Sequence, residues 1–125
     1  MPSASCLCGG VHFEFATEPK EISYCHCSMC QKAHGSAFGP YVRIYFEGVT
    51  ITGESLITSY QSSKDITRTF CQRCGSNLQF IRHGRDYFDV AAGILDGEVS
   101  AKPVVQIWCE SKADWYTFDE TIPQR

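Results

Sequence analysis

The sequence predicts a mainly-β domain with one small helical turn, and three observations carry that prediction. Apolar and polar residues alternate with period two along much of the chain. The alternating runs are short and closely spaced, as in an all-β domain. Only residues 28–34 have the composition and punctuation of a helix. With 125 residues the chain has the length of one domain, taken as residues 1–125.

In "VHFEF", Val11, Phe13 and Phe15 alternate with His12 and Glu14, which marks a half-buried strand. In "YVRIYF", Val42, Ile44 and Phe46 alternate with Tyr41, Arg43 and Tyr45 in the same way. Glu47 and Gly48 then precede "VTITG", so the two runs are expected to form a hairpin. "SLITSY", "ITRTF", "NLQFI", "YFDVAAG" and "VVQIW" continue the β pattern. Ser28 is the expected cap of the short helix and Gly35 its expected end.

Apolar residues make up 43% and charged residues 20% of the chain, the balance of a globular protein. A net charge of −3 argues against a surface that must neutralise many phosphates, so no nucleic-acid partner is expected. No run approaches the roughly 18 apolar residues of a membrane span. The start, "MPSASCLCGG", lacks the basic and apolar segments of a signal peptide, and a cytoplasmic location is expected.

Eight cysteines are the anomaly. In a reducing compartment they read as metal ligands or catalytic thiols rather than disulfides. They fall as C-x-C (Cys6, Cys8), C-x-C-x2-C (Cys25, Cys27, Cys30), C-x2-C (Cys71, Cys74) and a lone Cys109. A C-x-C pair makes a poor disulfide ring, whereas tetrahedral thiolate coordination accepts such spacings.

"FCQRCGSNLQF" reads as a zinc-ribbon turn at a hairpin tip, because Gly75 permits the positive φ that aims amides at the sulfurs. A redox C-x-x-C would need a βα context, which the sequence lacks. Cys6 and Cys8 are its natural partners, giving a closed four-thiolate zinc site on Cys6, Cys8, Cys71 and Cys74. On spacing alone, Cys6 and Cys8 also suit the central cluster.

Cys25, Cys27 and Cys30 then form a second zinc site with three thiolates. His26, His34, Cys109 and an exogenous group compete for its fourth position. His26 points away from its neighbours in an extended segment, and Cys109 is in phase with Val105 and Ile107 as a buried free thiol. An open position explains the pattern best. Three thiolates damp the Lewis acidity of zinc, so hydroxide generation is disfavoured. Deprotonation of an incoming thiol, and its addition to a small electrophile, is the chemistry such a site suits.

The sequence is similar to the glutathione-dependent formaldehyde-activating enzyme family. The resemblance rests on "CLCGGVHFEF", "YCHCSMCQKAHGSAF", "RTFCQRCGSNL", "AAGILDG" and "KPVVQIWCESKADWY". It implies a β-sandwich-like fold of antiparallel sheets, of the Rab-chaperone type, with the two zinc sites on the cysteines named above. It also implies carbon–sulfur lyase activity joining glutathione to formaldehyde or a related small aldehyde, with Cys25, Cys27 and Cys30 holding the catalytic zinc. The chain departs from the family pattern at Gln106, where a histidine is usual, and at Cys109, where an aliphatic residue is common. Lys32, Arg43, Arg68, Arg73 and Arg82 are candidates to hold glutathione carboxylates, and Phe38, Tyr41 and Trp108 to line a pocket. A non-catalytic zinc module and a glutathione or formaldehyde carrier are the alternative functions.

Overall fold

Alternation at Phe13 and Phe15 buries one face of a strand, His12–Phe15, and leaves Glu14 in solvent. The computed structural model describes residues 1–125, and in it this strand (β2) lies between Ser3–Ser5 (β1) and Val49–Thr52 (β5) in a three-stranded antiparallel sheet. The larger sheet contains Glu21–Cys25 (β3), Gly39–Tyr45 (β4), Ile57–Ser63 (β6), Ile66–Cys71 (β7), Asn77–Arg82 (β8), Tyr87–Ala91 (β9) and Lys102–Ile107 (β10). Its strand order is β10-β3-β4-β9-β8-β7-β6.

The mainly-β expectation holds, with two refinements. The predicted hairpin at Glu47–Gly48 does not form: β4 pairs with β3 and β9, whereas β5 pairs with β2 in the other sheet. The turn carries the chain between sheets, because Val42 and Ile44 and the side chains of β2 and β5 close one core from two sides. The large sheet is also not purely antiparallel, since β10 runs parallel to β3.

That core is made by Ala4, Val11, Phe13 and Phe15 on one side and Val42, Ile44, Leu78, Phe88 and Val90 on the other. Each large apolar side chain buried there contributes roughly 2 kcal/mol. The opposite face of the large sheet is lined by a transverse row. Cross-strand pairing sets Arg43 beside Asp89, Asp89 beside Phe80, Phe80 beside Arg68, and Arg68 beside Tyr60. A row with two guanidinium groups and a carboxylate belongs to a functional surface more than to a packing face.

The single α-helix, Ser28–His34 (α1), ends as expected on Gly35 in the left-handed conformation. Its cap is Cys27 rather than Ser28: the Cys27 sulfur accepts from the amide of Cys30 at 3.3 Å. No helix is long and apolar enough to cross a membrane.

Candidate metal centres and their cavity

The sulfurs of Cys6, Cys8, Cys71 and Cys74 all lie within 4.8 Å of one another. Two turns bring them together, one before β2 and one joining β7 to β8. Gly9 (φ 77°) and Gly75 (φ 80°) sit in these turns in the left-handed region that L side chains avoid. Val11 donates its amide to the Cys6 sulfur at 3.2 Å, and Arg73 Nε donates to the Cys8 sulfur at 3.2 Å. Leu7 donates its amide to Ser76 Oγ at 2.8 Å, tying one turn to the other. The Cys6–Cys8 and Cys8–Cys71 sulfurs are 3.5 and 3.8 Å apart. A tetrahedron with Zn–S bonds of about 2.3 Å has sulfurs about 3.8 Å apart, so the donor set fits zinc.

The sulfurs of Cys25, Cys27 and Cys30 form a second group within the same limit. Cys25 ends β3, Cys27 caps α1 and Cys30 lies in its first turn. Gln31 pins this segment, its side-chain amide donating to His26 O at 2.7 Å and to Ser111 O at 2.9 Å. None of the three candidate protein ligands joins the group. His34 Nε2 is hydrogen-bonded to Tyr41 Oη at 2.9 Å, and the half-buried Cys109 donates to Gln106 O at 3.4 Å. His26 is fully buried, its Nε2 paired with Gln106 Oε1 at 2.8 Å and its ring packed against Phe38, Tyr116 and Phe118. None of the eight cysteines is in a disulfide.

Cys30 is the most elaborately supported of the three. Tyr41 Oη and Arg68 Nη2 both donate to its sulfur at 3.6 Å. Arg68 is itself fixed by Nη1 donating to Tyr41 Oη at 3.1 Å and Nε donating to Ser62 Oγ at 3.1 Å. Its guanidinium also lies 4.9 Å from the centre of the Phe80 ring. A hydrogen bond from Cys25, followed by those from Tyr41 and Arg68, holds the Cys30 thiol down to about 5 despite burial. The same bond, reinforced by burial, pushes Cys25 up. Burial pushes the Tyr41 hydroxyl up, so it remains a donor at neutral pH.

The three-cysteine group opens on a cavity of about 570 Å³, whose walls include Tyr41, Arg43, Arg68, Arg82 and Asp89. A second hollow of about 460 Å³ shares Ser23, Tyr41, Arg43 and Asp89 with it. Arg43 is engaged, with Nε 3.7 Å from Asp89 Oδ1 and its guanidinium 3.7 Å from the centre of the Tyr87 ring. Burial pushes Asp89 up to about 6, against the opposing pull of Arg43. The three ion pairs of the molecule leave Arg82 out. Of the other candidates, Arg73 belongs to the four-cysteine group, and Phe38 stacks on Tyr24 at 4.1 Å. Lys32 lies on the last turn of α1 and is not part of the cavity wall. Nothing in the sequence singles out Asp89, because a carboxylate between Phe88 and Val90 reads as an ordinary solvent-facing strand residue.

Two packed sheets carrying one group of four cysteines and one of three, each placed to hold a metal ion, define a small cysteine-rich class of β domain. The family described as glutathione-dependent formaldehyde-activating enzyme matches residues 1–111, and the chain belongs to that family. A solved structure of a Rhodobacter sphaeroides protein is similar to it, at 23% identity and a TM-score of 0.62. The likeness covers 81% of this chain and 97% of that one, and it is a likeness of fold. No curated protein gave a match. Family membership relates the chain to glutathione and formaldehyde, and its two cysteine groups suit metal ions such as zinc.

Proposed function

We propose that the chain is a carbon–sulfur lyase that joins the glutathione thiol to formaldehyde or a related small aldehyde. In this reading Cys6, Cys8, Cys71 and Cys74 hold a structural zinc, and Cys25, Cys27 and Cys30 hold a second one. The observation that carries it is a group of three sulfurs, not four, facing a cavity with three arginines in its wall. A zinc bound by three thiolates supplies a position at which an incoming thiol loses its proton.

The chain's own residues do the rest. Arg68 and Tyr41 draw electron density from the Cys30 sulfur, and the Arg68 charge offsets the excess negative charge of three thiolates around a divalent ion. An anionic donor then meets a centre that is close to neutral. Arg82 forms no direct ion pair, although its charge reaches Asp89, and it is the guanidinium available to a glutathione carboxylate. Phe80 and Ile107 supply apolar wall that excludes water beside the sulfurs. The new C–S bond forms as the carbonyl π bond opens, and the thiol proton ends on the former carbonyl oxygen. Elimination is the reverse.

Zinc-edge X-ray absorption on the zinc-loaded protein, with and without glutathione, tests this. Added sulfur at one of two zincs is expected. Unchanged coordination would remove the reading, and a rate no faster than the uncatalysed addition would reduce the protein to a carrier.

A further inference from the structure

Trp108 is the one residue other than glycine with a positive φ, 56° with ψ 41°. The left-handed region is unfavourable for any residue with a Cβ and favours glycine. The surrounding backbone enforces it. Ile107 O accepts from the amide of His26 at 2.9 Å, Cys109 donates its amide to Arg125 O at 3.1 Å, and Ser111 donates to Trp108 O at 3.0 Å. Glycine would make the same turn without strain, yet the position carries the largest side chain available.

That side chain is not spent on the core. Trp108 is 56% exposed, whereas the aromatic rings on the other side of the segment, Phe38, Tyr116 and Phe118, pack closely around His26. Trp108 lines the cavity of the three-cysteine group together with Cys27, Met29 and Ser111. Strained backbone that presents an exposed indole to a cavity is a pattern of binding sites. Tryptophan also gives large contact area for little loss of side-chain freedom.

We infer that Trp108 is a binding residue for the thiol donor, offering its indole face to the planar amides of a peptide thiol. The inference rests on the function proposed above and deepens it: it assigns discrimination between a peptide thiol and a small thiol to one side chain. A small thiol such as 2-mercaptoethanol has no amide plane to lay on the indole and gains nothing from it.

The test uses Trp108→Gly, Trp108→Ala and Trp108→Phe in the zinc-loaded protein, with calorimetric titration of glutathione and of 2-mercaptoethanol and thermal unfolding of each variant. Glutathione affinity is expected to fall about tenfold in the glycine and alanine variants and to return largely in the phenylalanine variant. Affinity for 2-mercaptoethanol is expected to be unchanged in all three. The glycine variant is expected to unfold at a higher temperature than the alanine variant, since both lose the indole but only alanine retains the strain. In a Trp115→Phe background, glutathione is expected to change the fluorescence of Trp108. Unchanged glutathione affinity in the glycine variant, or equal loss for both thiols, overturns the inference while the wild-type zinc-edge response leaves the proposed function standing. A wild-type protein that binds neither thiol removes both.

Discussion

The two cysteine groups differ in where their ligands come from. Cys6 and Cys8 precede β2, and Cys71 and Cys74 form the β7–β8 turn, so the four-cysteine group joins parts of the chain more than sixty residues apart. Cys25, Cys27 and Cys30 lie within one short segment, so they cross-link nothing beyond it. A metal bound at the first group would therefore constrain the whole fold, whereas one at the second would order one turn. Both groups have an arginine on a sulfur, Arg73 on Cys8 and Arg68 on Cys30. The charge left over differs: one positive group against four thiolates and a divalent ion leaves an anionic centre, but against three it leaves a neutral one. On the proposed function, the long-range set would build structure and the local, charge-balanced set would be left for chemistry.

The comparison breaks most directly at the ligands. Cys71→Ser is expected to cost on the order of 5 kcal/mol, enough to unfold a marginally stable domain. Cys27→Ser is expected to remove about one zinc and leave cooperative melting in place. Metal analysis and thermal unfolding of the two variants decide it, and equal instability would erase the distinction.

Next in size is the arginine pair. Arg68→Met is expected to weaken glutathione binding and zinc retention at the second site by about 10–100-fold, the usual worth of a hydrogen bond to a metal ligand. Arg73→Met should leave glutathione affinity as it was. Chelator competition and calorimetry measure both, and matching losses would show that the charge difference is irrelevant. Arg82→Gln sharpens the same point: a rise of about tenfold in KM for glutathione, with none for a small neutral thiol, locates the carboxylate partner.

The smallest effect concerns Asp89. Its folded value of about 6 lies above the ordinary 3.8 because burial disfavours the carboxylate. The stability associated with its protonated form is fully present below 3.8 and is lost as pH rises through 6. Asp89→Asn is thus expected to gain about 1 kcal/mol at pH 8, with the gain vanishing below about pH 4. Urea denaturation at the two pH values checks the sign.

Much of this was legible in the chain. Alternation marked β2 and β4, and Gly75 after a C-x2-C pair marked the β7–β8 turn. What escaped was set by partners far away in sequence. Glu21–Cys25 has no clean alternation because it is an inner strand, flanked by β10 and β4, whose Ile22, Ser23 and Tyr24 are all half-buried whichever face they are on. Gln106, in phase with the exposed side of its strand by pattern, is fully buried. Its side-chain amide is satisfied at both ends there, Oε1 accepting from His26 Nε2 at 2.8 Å and Nε2 donating to Asp119 O at 3.1 Å. The cavity row of Arg43, Asp89, Phe80 and Arg68 needs the register of four strands, which no local pattern encodes.

The outer edge of β10 is not left bare. Gln106 donates its amide to Pro123 O at 2.8 Å, and Arg125 donates back to Gln106 O at 2.7 Å. This strap covers the edge at Gln106, where a free amide and carbonyl would otherwise be open to strands from other molecules. Removing Pro123 to Arg125 would bare the edge at Gln106, and it would loosen the anchor behind Trp108 at the same stroke.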